Sequence, residues 1–129
     1  MNKIHSYKDL IVWQKGMELV TAIYDFTKDF PKEEVFGLSS QIKRAAISIP
    51  TNIAEGRFRG SRKDFIQFLR IAYASGAELE TELYISENLK FGKPERLRKI
   101  RLILDEEMRM LNVMISKLGI EAKKLTAKT

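Results

Sequence analysis

The chain has 129 residues, 44% of them apolar and 31% charged, the balance of one folded domain with enough material for a core. There is no cysteine and only one histidine, His5, which excludes disulfide staples, thiolate metal centres and histidine clusters. The net charge of +6 is concentrated late in the chain. Residues 1–38 carry five basic and six acidic side chains, residues 39–89 seven and six, and residues 90–129 eleven and five. Such an excess suits an anionic partner, nucleic acid above all, and it also suits a soluble surface with no partner.

In chain order, the opening MNKIHSYKDL lacks the apolar centre of a leader peptide. No apolar run later approaches the roughly 20 residues of a membrane span, so a cytoplasmic protein that avoids the membrane is expected. Helical spacing then dominates. In the first segment Trp13, Met17, Val20 and Tyr24 fall three or four apart, with Val12, Leu19, Ile23, Phe26 and Phe30 as a neighbouring stripe. Ser6 and Asp9 offer a capping box, and Pro31 a stop. The second segment carries Leu38, Ile42, Ala45, Ile49 and Ile53, and Gly56 and Gly60 bracket its end.

Ser61 and Asp64 cap a third helix with the row Phe65, Phe68, Leu69, Ala72, Leu79 and Leu83. Small residues at Ala72 and Gly76 predict close approach to Ala45 and Ala46 of the second helix. The turn FGKP places Pro94 in the first turn of a fourth helix. Its main stripe is Leu97, Ile100, Leu104, Leu111, Ile115 and Leu118, and a second stripe holds Ile103, Met110 and Met114. Gly119 is expected to end it, leaving residues 120–129 as a polar tail after a single domain over 1–119. The economical arrangement is all-α, an antiparallel up-down-up-down four-helix bundle. Helices 1 and 4 carry more apolar surface than one core stripe needs, which points to burial against another subunit.

Three sites merit weighing. SIPTNIAEG, residues 48–56, puts Pro50 inside a helix at a cost of about 3 kcal/mol in an exposed setting. Ser48, Asn52 and Glu55 share a helix face there, suited either to acid–base chemistry or to a polar network setting helix register. The network is favoured, because no histidine or second catalytic partner lies near. Glu78 and Glu82 lie one turn apart and could meet Glu55 across a helix pair. Di-metal carboxylate bundles need Glu-x-x-His pairs as well, so only an oxygen-ligated magnesium or manganese hydrolase site would remain. No nucleophile or phosphate-loop motif is present, and neither a catalytic residue nor a cofactor is expected. The third site is the turn RFRGSRK, where Arg57, Arg59, Arg62 and Lys63 surround Phe58.

The stretch FPKEEVFGLSSQIKRAAISIPTNIAEGRFRGSRKDFIQFL, with ELETEL after it and YKDLIVWQKGMELV before it, resembles the four-helix-bundle proteins encoded in intervening sequences of bacterial 23S rRNA genes. The resemblance spans residues 7–118 and is most specific from Gln41 to Gly56. It implies a left-turning bundle assembled as a ring-shaped homopentamer, without established catalysis. It also implies kinship with the accessory protein of diversity-generating retroelements, a basic barrel that binds a reverse transcriptase and nucleic acid. By position, Ser48, Pro50, Asn52, Ala54, Glu55 and Gly56 match the family signature, and Arg57 to Lys63 its basic loop. AYASGAELE departs by carrying Ala74 and Ser75 before Gly76.

The expectation is therefore a non-enzymatic, basic homo-oligomer that binds structured RNA, DNA or a protein handling them. Arg57, Arg59, Arg62 and Lys63 would hold phosphates, and Arg96, Arg98, Lys99 and Arg101 would extend that surface. A protein-interaction scaffold with incidental charge is the alternative. A metal hydrolase built on Glu55, Glu78 and Glu82 is the third.

Overall fold

Four helices account for almost the whole of the computed structural model, which describes residues 6–127: α1 (Ile11–Thr27), α2 (Leu38–Phe58), α3 (Arg62–Asn88) and α4 (Pro94–Ala127). Short 3-10 turns at Tyr7–Asp9 and Lys32–Glu34 precede α1 and α2. Each helix packs on the next, and α4 returns to α1, closing an all-α four-helix bundle. The antiparallel order is visible in the pairs that cross it. The start of α4 meets the end of α1 through Arg96 and Asp25, and the start of α3 meets the end of α4 through Arg62 and Glu121.

The core is built from the predicted rows. Leu19, Ile23 and Phe26 of α1, Ile42, Ile49 and Ile53 of α2, Leu69, Leu79 and Leu83 of α3, and Ile100, Leu104 and Leu111 of α4 are all fully buried. Each such side chain contributes about 1.5–3 kcal/mol through loss of apolar surface to water. The neighbouring α1 stripe of Trp13, Met17, Val20 and Tyr24 is only partly covered or exposed. Among the described residues, no helix is long and apolar enough to cross a membrane.

Several expected boundaries move. Ser6 caps the 3-10 turn by accepting the Lys8 N–H, and α1 starts at Ile11 without a side-chain cap. Gly56 lies inside α2, where a Cβ would press on Phe68. Only Gly60, at φ +85°, makes the left-handed turn after the helix. Gly76 does not serve contact with α2: a Cβ there would strike Met108 of α4. Gly119 does not end α4, which continues to Ala127. No neighbouring atom crowds Gly119, and the following EAKKL is made of strong helix formers that offset its cost. His5 and the last two residues lie outside the described residues.

Candidate nucleic-acid interface

The basic turn is shaped by local rules. Gly60 donates its N–H to the Arg57 carbonyl at 3.3 Å, closing α2, and Ser61 accepts the Asp64 N–H at 3.1 Å, opening α3. The short reversal sets Arg57, Phe58 and Arg59 on the last turn of α2 and Arg62 and Lys63 on the first of α3. Phe58, Arg59, Arg62 and Lys63 are exposed and Arg57 is half-buried. The Arg59 guanidinium lies 3.3 Å from Glu55 and 4.8 Å from the Phe68 ring centre, while Arg62 lies 3.6 Å from Glu121. Exposed pairs of this kind are worth about 0–1 kcal/mol, so a phosphate can displace the carboxylate. A cleft of about 510 Å³ beside the turn is lined by Arg57, Ser61, Arg62, Phe65, Lys117 and Glu121, among others. Lys63 and Arg70 join Arg62 along the adjoining groove.

Arg96, Arg98, Lys99 and Arg101 do not extend this surface within one chain. They sit on the first turns of α4, at the other end of the bundle, separated from the turn by the length of α3. At 27 residues, α3 spans about 40 Å. Two of the four are also clasped. Arg96 donates to the Asp25 carbonyl at 3.0 Å and to Asp29 at 2.8 Å, and it pairs with the Asp25 carboxylate at 3.3 Å. Arg101 grips both Glu87 oxygens at 3.0 and 3.1 Å and lies over the Tyr84 ring. That grip holds the Glu87 carboxyl below its usual range. Arg98 and Lys99 are exposed.

The signature face of α2 divides in two. Asn52 donates its amide to the Ser48 carbonyl and hydroxyl at 2.8 and 2.9 Å, and the Ser48 hydroxyl meets that of Ser75 on α3 at 2.8 Å. This chain of bonds ties the register of α2 to that of α3. Glu55 takes no part in it: it is exposed and paired with Arg59. Glu78 is exposed too, and only Glu82 is buried. Glu55, Glu78 and Glu82 therefore form no site, and among the described residues no three acidic or histidine side chains are placed to hold a metal.

Pro50 faces the opposite way, into the core. A Cβ at Gly16 of α1 would lie 3.3 Å from the Pro50 ring and 2.9 Å from Glu107 Oε2. Glycine at position 16 thus lets α1 seat the proline and a carboxyl from α4 together. Glu107 is fully buried, with no hydrogen-bond partner for either oxygen among the described residues. Burial pushes its pKa up to about 8, opposed by the Lys15 charge. Glu82 is pushed up to about 7 by burial and by the Glu78 carboxylate. Reading for apolar rows passed over Glu107, yet the row Leu97, Ile100, Leu104, Leu111 skips the position it occupies.

A family model for the 23S rRNA-intervening sequence protein matches residues 8–113. The chain belongs to that family. The intervening-sequence fold is also matched by the crystal structure, at 1.70 Å resolution, of a protein of unknown function from the S23 ribosomal protein family of Bacteroides thetaiotaomicron. The two are 29% identical, with a TM-score of 0.74, over 81% of this chain and 98% of the other. No curated protein matches. The family span runs from just ahead of α1 to Val113 in α4, so it includes the signature face and the basic turn.

Proposed function

We propose that this intervening-sequence bundle is a non-catalytic, cytoplasmic, nucleic-acid-binding protein that uses the α2–α3 turn to hold phosphates. The observation that carries this reading is the exposure of Arg59, Arg62 and Lys63 on one tight reversal, with Arg57 and Lys117 along the adjoining cleft. The overall charge of +6 favours the same class of ligand. One copy of the turn is a modest site. In a ring-shaped homopentamer, the assembly implied by the family resemblance, five copies would act together and raise affinity by effective concentration. The ligand is structured RNA or DNA, and a protein that handles it, such as a reverse transcriptase, would share the surface.

The test is retention of structured RNA and duplex DNA across a salt series, with solution mass measured in parallel by light scattering. Each phosphate contact contributes about −0.9 to the slope of log affinity on log salt for duplex DNA. Arg59→Ala with Arg62→Ala should flatten that slope by about two contacts' worth. An unchanged slope removes the turn from the interface. A second reading, a scaffold for protein partners, draws support from Phe36, which is 95% exposed and shares a groove with Tyr24, Val35 and Ile47. Failure to retain any nucleic acid at low salt would favour it.

A further inference from the structure

Phenylalanine gains from burial, yet Phe58 is 84% exposed. The reason lies beside it. A Cβ at Gly56 would already touch Phe65 and Phe68, so those two rings occupy the seat between the end of α2 and the start of α3. Arg59 lies on the Phe68 ring, at 4.8 Å. Phe58 is left on the outside of the reversal, with Arg57 and Arg59 beside it in the chain and Arg62 and Lys63 across the Gly60 turn. The comparably exposed Phe36 shares its groove with Tyr24, Val35 and Ile47 and also with Lys43, Arg44 and Glu55, so both signs of charge lie near it. Around Phe58, every charged residue from Arg57 to Lys63 is a cation.

A flat apolar ring framed by cations has the chemistry of a stacking platform: the cations track phosphates while the ring takes the face of a base. A duplex has no free base face along its length, whereas an unpaired nucleotide offers one. Resting on the nucleic-acid reading above, we infer that Phe58 is a base-stacking residue and that the turn binds unpaired nucleotides, in a single strand or an RNA loop, in preference to a duplex. The ring supplies no sequence code, so the preference is for strandedness and not for a particular base.

The test compares a labelled oligouridylate with an RNA duplex of equal length by fluorescence anisotropy. Phe58→Ala should weaken oligouridylate binding about ten-fold or more, as expected for one stacked base, and leave duplex binding within about two-fold. Phe58→Trp should restore the loss. If Phe58→Ala leaves both affinities unchanged, or lowers both equally, while the Arg59 and Arg62 substitutions still flatten the salt slope, stacking is overturned and the phosphate reading stands. If neither probe binds at low salt, both fall. If Phe58→Ala changes the solution mass and not oligouridylate affinity, the ring is a subunit contact and stacking is again overturned.

Discussion

The two ends of the bundle carry similar numbers of cations and treat them in opposite ways. At the end formed by the α2–α3 turn, Arg59 and Arg62 make single long contacts with carboxylates, and Phe58 stands in solvent. At the other end Arg96 joins two aspartates and a carbonyl, Arg101 grips Glu87 with both arms, and Phe26, Phe30 and Phe91 stack edge to face or tilted at 5.1 to 5.5 Å. The turns differ likewise. The α3 helix closes with a paired cap, Phe91 N–H to Ser86 and Lys90 N–H to Glu87, that holds Lys90 in the left-handed region at φ 59°. Arg96 and Arg101 are built into the fold at one end, while Arg98 and Lys99 beside them stay exposed, as do Arg59, Arg62 and Lys63 at the other. Charge count alone would have ranked them equal.

The largest expected effect sharpens that contrast at the glycines. Gly92 turns at φ +76°, and a Cβ there would run into the Phe26 ring. Gly92→Ala should cost about 2–5 kcal/mol, combining the left-handed penalty with overpacking. Gly60→Ala, at φ +85° with open space around it, should cost only about 1–2 kcal/mol. Urea denaturation of the two variants checks the pair. Equal losses would mean that the Phe26 cluster does not brace its end.

Midway between the ends lies a group that could blur the comparison. Glu107 is held neutral in the fold with a pKa of about 8, against an ordinary 4.5. Its folded-state pKa is the higher one, so no penalty applies below about pH 4.5, and stability falls as pH rises from there toward about pH 8. At pH 7 the loss is about 3 kcal/mol. Glu107→Gln should remove somewhat more than half of the combined slope, and Glu82→Gln, whose carboxyl is pushed up to about 7, most of the rest, in denaturation series run from about pH 5 to about pH 8. A slope unaltered in Glu107→Gln would mean that the carboxyl is ionised in the folded protein.

The smallest expected effects separate holding from binding. Arg96→Ala should lower stability by about 1 kcal/mol through its exposed but multiple bonds, without changing the salt slope of nucleic-acid retention. Arg62→Ala should do the reverse, leaving stability within about 0.5 kcal/mol. Paired denaturation and retention measurements would show whether the two ends divide the work in this way.

The reading of the chain by spacing located every helix and nearly every fully buried side chain, because burial on a helix recurs every three or four residues. It also found the Ser61–Asp64 cap, whose chemistry is local. It misassigned Gly56, Gly76 and Gly119, since a glycine's role depends on what lies across from it: Phe68, Met108 and nothing, respectively. It grouped Glu55 with Ser48 and Asn52 because all three share a helical face, whereas their surroundings split them.

Glu107 shows the same limit from the other side. Its place in the core row was legible as an interruption between Leu104 and Leu111, but its lack of a partner was not. Amino-acid order alone determined that this chain makes four amphipathic helices with capped turns, because propensity and periodicity act between residues a few positions apart. Which cations are clasped, which ring is left in solvent and which carboxyl is buried beside a proline depended on contacts between residues as far apart as Gly16 and Glu107, which only the closed bundle brings together.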